Sequence, residues 1–246
     1  MPAALSILTP VVNVQPGGEG VASITIRNTG QVVDQFAINL LGDASAWGRP
    51  DPGVISLFPG AEETVTLRFS PPRSSAIVAG TVPFGVRVTS QEDPEFSVVE
   101  EGSVLIGGFS AVEARIVPRT SEGKRNAVHR IEVTNTGNAP VSAHLVASDP
   151  DELLVFDFEP DDVEVQPGAT ASVKLKVVAK KPNRGKGARR MPFQVQVEPG
   201  GAPVNVDATF EQKPKSSVLL FLAILVVAGV LVYLLQDQAG ALPLGG

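Results

Sequence analysis

Cysteine is absent from this 246-residue chain, and histidine, tryptophan and tyrosine nearly so, at two, one and one. No disulfide, thiolate metal site or cysteine nucleophile is therefore available. Neither a G-x-S-x-G elbow nor an H-E-x-x-H helix occurs, which removes those two hydrolase signatures. A Ser–His–Asp triad would have to be built on His129 or His144, and the sequence singles out no serine to join them. His129 shares a strand face with Ile131 and Val133 and reads as a sandwich-edge residue. His144 falls on the face opposite Ala143 and Leu145, towards solvent or a neighbouring domain. One Trp and one Tyr leave little for stacking on sugars. A net charge of −6 argues against a general nucleic-acid binder. The expectation is a protein that is not an enzyme and that uses no cofactor and no metal.

Long apolar runs are also missing, with one exception. Val218 to Leu235 is eighteen residues without a charge, fourteen of them Leu, Val, Ile or Phe. As a helix it would extend roughly 27 Å, near the thickness of a bilayer's hydrocarbon core. Its insertion is worth on the order of −4 to −8 kcal/mol. A single transmembrane helix over 218–235 is expected, without the G-x-x-x-G of a specific helix dimer. Lys213 and Lys215 precede it, while the tail 236–246 carries Asp237 and no Lys or Arg. The positive-inside rule then keeps the N-terminal bulk cytoplasmic and sends a short disordered tail outside. Met1–Val14 agrees, because it lacks a basic n-region and is broken by Pro2 and Pro10.

The remaining residues repeat. Ile26-Arg27-Asn28-Thr29-Gly30 returns as Val133-Thr134-Asn135-Thr136-Gly137, and Pro59-Gly60-Ala61 as Pro167-Gly168-Ala169. Val82-Pro83-Phe84-Gly85-Val86-Arg87-Val88 returns as Met191-Pro192-Phe193-Gln194-Val195-Gln196-Val197. The shift is near 107 residues, which implies two copies of one domain, 1–107 and 108–212, then a basic linker, 213–217. Each copy alternates with period two, as in Thr64–Phe69 and Thr170–Val178, and 24 Gly and 21 Pro are scattered as turns. The expected fold is all-β: two tandem immunoglobulin-like β-sandwiches of seven strands each, followed by the transmembrane helix. Asn-Thr-Gly is expected to supply φ > 0 after the second strand, and Pro-Gly a type II turn before the fifth. Expected inward positions of the first copy are Ile24, Ile26, Phe36, Ile38, Leu40, Val65, Leu67, Phe84, Val86 and Val88. Trp47 should cap that core near the end of the third strand.

Val14-Gln15-Pro16-Gly17-Gly18, Asn28-Thr29-Gly30 with Val33-Asp34-Gln35-Phe36, and Phe58-Pro59-Gly60 resemble tandem Ig-like bacterial modules. These are related to the NEW3-type domains found beside some glycosidases. Asn135-Thr136-Gly137-Asn138-Ala139-Pro140 and Ala147-Ser148-Asp149-Pro150-Asp151-Glu152 resemble a group of actinobacterial membrane proteins often labelled "hydrolytic protein". The resemblance covers nearly all of 1–212 and implies the domain type. Its motifs are turns and core positions, so it carries over no catalytic residue.

One segment suggests a mechanism. Between the fifth and sixth strands of the second copy lie Lys180, Lys181, Arg184, Lys186, Arg189 and Arg190, with no acidic residue among them. Sandwich topology brings that loop beside the end of the last strand, which leads into the apolar run. With Lys213 and Lys215, it is expected to contact an anionic inner leaflet, each cation contributing about 1 kcal/mol. The loop has no aromatic residue for stacking on a nucleic acid. Asp149, Asp151 and Glu152, and likewise Glu159, Asp161 and Asp162, read as solvated turns rather than calcium loops. Asn28, Thr29, Gly30 and Phe58, at the far end of the first copy, are candidate contacts for a protein partner. The sequence thus points to a non-catalytic membrane-anchored binding or scaffold protein. The alternatives are an exported adhesion or carbohydrate-binding protein, and an accessory part of a hydrolase.

Overall fold

Alternation of apolar and polar residues along each strand, bounded by Gly and Pro turns, leaves a single way to hide the apolar face: against a second sheet. The computed structural model describes residues 3–214 and 226–231. Its first half contains β1 (Ala3–Ile7), β2 (Val11–Val14), β3 (Gly20–Asn28), β4 (Asp34–Leu41), β5 (Gly48–Asp51), β6 (Val54–Leu57), β7 (Glu62–Phe69), β8 (Gly80–Ser90) and β9 (Ser97–Ile106). The second half contains β10 (Val112–Val117), β11 (Thr120–Gly123), β12 (Asn126–Asn135), β13 (Val141–Ser148), β14 (Leu154–Glu159), β15 (Asp162–Val165), β16 (Thr170–Ala179), β17 (Arg189–Glu198) and β18 (Val204–Gln212).

Among the described residues these strands form four sheets. The orders β1-β3-β7-β5 and β2-β9-β8-β4-β6 of the first half recur strand for strand as β10-β12-β16-β14 and β11-β18-β17-β13-β15. Each half encloses its own apolar cluster. Ile24, Ile26, Phe36, Val65, Leu67, Val86 and Val88 are sealed in one; Ile131, Val133, Leu175, Val195 and Phe210 are sealed in the other. Every inward position expected of the first copy is buried except Leu40, which is half-buried against the same cluster. Trp47 also packs there, but it follows a 3-10 turn at Asp43–Ala46 rather than ending a strand. Its ring meets Phe69 edge-on at 5.9 Å.

The halves have nine strands rather than the seven expected, because two strands in each break and change sheets. β1 pairs with β3, yet its continuation β2 runs parallel to β9. β5 pairs with β7, whereas β6 pairs with β4. The breaks fall at Pro10, Pro52, Pro118 and Pro160. Proline has no N–H to offer the ladder and marks where a strand must leave its partner.

At the sheet ends an asparagine takes over from the ladder. The Asn135 Nδ2 donates to Ala139 O at 2.8 Å and Val165 O at 2.9 Å, while its Oδ1 accepts from Gly137 N. Asn28 repeats this with Val32 O, Leu57 O and Gly30 N. The Asn-Thr-Gly motif therefore works through its side chain. Gly30 and Gly137 are not among the residues with a left-handed φ, contrary to expectation, whereas Gly60 and Gly168 are, at 79° and 73°. Gly137 is instead required by space, since a Cβ there would sit 2.5 Å from Phe109 O.

The halves meet end to end through polar groups. Asn138 is fully buried. Its Nδ2 donates to Ile77 O and Gly107 O, both at 3.0 Å, and its Oδ1 accepts from Phe109 N at 2.7 Å. Its carbonyl accepts from Ala79 N. The Arg73 guanidinium lies 4.0 Å from the centre of the Phe109 ring. Thus the end of the first half where β9 finishes is covered by the end of the second half where β10 begins.

Asn135→Asp keeps the acceptor for Gly137 N but sets a carboxylate against two carbonyls. It should cost about 2–4 kcal/mol in urea unfolding followed by circular dichroism. Lys176→Ala, on an exposed strand face, should stay within about 0.5 kcal/mol of the parent.

Candidate functional site

The most unusual surface is the end of the second half where β18 finishes. The β16–β17 loop, 180–188, carries most of the basic cluster, and a third asparagine pins it. Asn183 is 9% exposed. Its Nδ2 donates to Gly187 O at 2.8 Å and Gln212 O at 3.0 Å, and its Oδ1 accepts from Gly185 N at 2.9 Å. Gln212, fully enclosed, donates through Nε2 to Lys181 O at 2.9 Å and Lys124 O at 3.1 Å. Asn183 and Gln212 thus tie the loop, the end of the last strand and the β11–β12 turn into one unit. The expected adjacency of the basic loop and the end of the last strand is present in the structure.

The residues named from the sequence are not equivalent. Lys180, Lys181, Arg184, Lys186 and Arg189 are exposed and form no ion pair among the described residues. Arg190 belongs to β17 and pairs with Glu211 at 2.7 Å. Lys213 pairs with Glu122 at 2.5 Å. Both are therefore partly neutralised. Lys215 lies outside the described residues, as do most of 218–235 and the tail 236–246. Two cations were not foreseen: Lys124 and Arg125, in the turn bound by Gln212 and by Ala179 N. The repeat itself held the signal, because a shift of 107 residues places them on Gly17 and Gly18, beside the β7–β8 loop through Gly17 N to Pro71 O.

The opposite extremity, the free end of the first half, corrects one expectation. Asn28 is 0% exposed and its carboxamide is fully used inside the turn, so it offers nothing to a partner. Gly30 is half-buried and Thr29 exposed. Phe58, 71% exposed, stands near Val32 and Val33, both also exposed, because Asn28 bridges the two turns. Asp34 is buried and holds the β8–β9 turn through Ser90 Oγ at 2.6 Å and the amides of Gln91 and Glu92.

His129 is not at an edge. It lies on β12, inside the sheet, 1% exposed. Its Nδ1 faces Pro118 O at 2.7 Å and so carries the proton, leaving Nε2 to accept from Ser121 Oγ at 2.8 Å. The structure therefore does single out a serine. Both side chains are buried, however, and the third member is a main-chain carbonyl. Their evident work is to fasten β11 to β12 just past the Pro118 break. His144 is exposed, as expected, and pairs with Asp162 at 2.8 Å. Asp149 is occupied within its own turn by Leu153 N and Leu154 N. Among the described residues no group of three His, Cys, Asp or Glu side chains is arranged to hold a metal ion.

No protein-family profile matches the chain, and no curated protein does. Among solved structures it is similar to a protein of unknown function from Porphyromonas gingivalis, at 17% identity and TM-score 0.34, covering 86% of this chain and 100% of that one. It is also similar to the D00-D0 domain of intimin, at 9% identity and TM-score 0.41, covering 85% and 98%. The E. coli chaperone DraB gives 11% identity and TM-score 0.31, covering 85% and 98%. At TM-scores this low the likenesses carry no argument about function. The all-β architecture rests on the strands themselves.

Burial pushes the His129 imidazole below its ordinary value, opposed in part by the bond to Pro118 O. For His144 the hydrogen bond to Asp162 raises it. The two act in opposite directions. Below the ordinary histidine value of roughly 6.5 the unfolded chain takes up a proton that folded His129 refuses, so stability falls as the pH falls, by at most about 1.4 kcal/mol per unit. The His144 contribution is present at low pH and is lost as pH rises through its elevated value. In a His144→Gln variant, denaturant unfolding between about pH 7 and pH 5 should show the His129 loss unmasked. A stability that does not change over that interval would contradict the assignment.

Proposed function

We propose that the chain is a non-catalytic, membrane-anchored scaffold that holds two Ig-like sandwiches at the inner face of a cell membrane. One observation carries this reading. The chain leaves β18 at a cationic end of the fold, and four residues separate Lys213 from the eighteen-residue apolar run that begins at Val218. Basic residues flanking the N-terminal side of such a run retain that side in the cytoplasm. Residues 226–231, inside the run, are helical, with Val226, Val227, Val230 and Leu231 exposed. A helix bearing bare valines and leucines has no reason to face water. Among the described residues no helix is long and apolar enough to cross a membrane, and the remainder of the run lies outside them.

The free end of the first half is the surface best suited to a protein partner. Phe58, Val32 and Val33 are exposed apolar residues on the two turns that Asn28 bridges, as expected of a small interaction patch. A carbohydrate-binding role has less support, since Trp47 is engaged with the core. Hydrolysis has less support as well, because Ser121 and His129 are both buried.

The chain should remain in the pellet when membranes are washed with alkaline carbonate, and should need detergent for release. In intact cells protease should spare both sandwiches, and in lysed cells it should reach them. Sandwiches digested from outside would favour the exported alternative. A fluorophosphonate probe should leave Ser121 unmodified in the folded chain, as read by mass spectrometry; labelling that is lost in His129→Ala would reinstate a hydrolase.

A further inference from the structure

The two halves use the same end of the same fold in different ways. In the first half the β7–β8 loop, 70–79, reads Ser-Pro-Pro-Arg-Ser-Ser-Ala-Ile-Val-Ala, with one cation, and that cation lies on Phe109. This end is covered by protein, through Asn138. In the second half the equivalent loop is strongly basic, and no described part of the chain covers it. We infer that its cover is an anionic bilayer surface, on which the second half docks through the β16–β17 loop and the β11–β12 turn together. This rests on the membrane-anchored reading and adds to it a defined contact.

Three features support the inference. First, the loop is held in shape: Asn183 and Gln212 fix it to the last strand, so little conformational freedom is lost on docking. Second, the chain leads the surface there. From Lys213 to Val218 the backbone can extend at most about 17 Å, so an inserted run draws this end to the headgroups. Third, charge is distributed unevenly. Lys124, Arg125, Lys181, Arg184, Lys186 and Arg189 are exposed and without ion pairs among the described residues. The turn between β13 and β14, which bears Asp149, Asp151 and Glu152, is on the same end. It lies beside the β16–β17 loop, to which it is tied by Lys180 N donating to Leu153 O at 2.8 Å, and across the end from β11 and its turn into β12. Docking on anionic lipid is therefore centred on the β11–β12 turn and on residues 181–189, with the acidic turn at the rim of the contact beside Lys180.

The test uses the full chain in lipid nanodiscs, with a water-soluble acetylating reagent and mass spectrometry to follow each lysine. In discs containing phosphatidylglycerol, Lys124, Lys181 and Lys186 should react about tenfold more slowly than in phosphatidylcholine discs, while Lys176 on β16 reacts equally in both. Salt at about 0.5 M should remove the difference. The double variant Arg184→Glu, Lys186→Glu changes only exposed side chains and should restore fast labelling of Lys124 in anionic discs. Equal rates in the two disc types would overturn the inference, as would persistent protection of Lys124 in the double variant. Protection by added RNA in neutral discs, without an effect of anionic lipid, would overturn it in favour of a nucleic-acid site. If the chain fails to enter discs of either composition, it is the anchored reading that has failed.

Discussion

A β-sandwich has to stop somewhere, and where its ladders stop, main-chain amides and carbonyls are left without partners. In this protein the buried carboxamide of an asparagine meets that need three times. Asn28, Asn135 and Asn183 each donate to a carbonyl four residues ahead and to a second carbonyl 29 or 30 residues ahead, and accept from the amide two residues on. One planar group with two donors and a two-lone-pair oxygen satisfies a turn and a neighbouring strand together. A net hydrogen bond is worth about 1 kcal/mol, but an orphaned buried carbonyl costs more, so the motif matters chiefly for what would be left exposed without it. The loops at both ends of the molecule owe their shape to this contact.

Much of the fold was legible because it depends on periods and repeats. Alternation gave the inward residues of the first half almost completely, and self-comparison at a shift near 107 residues anticipated a topology that recurs strand for strand. What was not legible was longer in range. Alternation does not record which sheet a strand joins, so the changes of partner at Pro10, Pro52, Pro118 and Pro160 were hidden, although each proline was in view. Asn-Thr-Gly looked like a turn that needed a left-handed residue. The sequence-level rule treats asparagine by its backbone, and here the side chain reaches across to another strand. His129 had the correct face but the wrong depth, because an isolated strand does not say whether it is central.

The basic end was legible in part for a similar reason. Six cations close together in sequence are easily seen; Lys124 and Arg125 join them only through folding, some 60 residues away in the chain. Pairing removes others from the account: Arg190 faces Glu211 and Lys213 faces Glu122. Counting charges along the chain therefore overstated two positions and omitted two. The free end of the first half changed in the opposite sense. Its asparagine is structural, and the apolar side chains around it, Phe58, Val32 and Val33, are what remains to meet another molecule.

The junction at Asn138 has a bearing on geometry at larger scale. A polar joint in which one side chain bonds Ile77, Gly107 and Phe109 restrains the swing of one half against the other. On the proposed reading the free tip is then carried at a set altitude, on the order of 60 Å from the lipid if each half contributes about one long strand. Such a tip sweeps a thin layer parallel to the bilayer instead of a hemisphere. A partner would then be met near that altitude, and the buried amide of Asn138 is one of the contacts that set it.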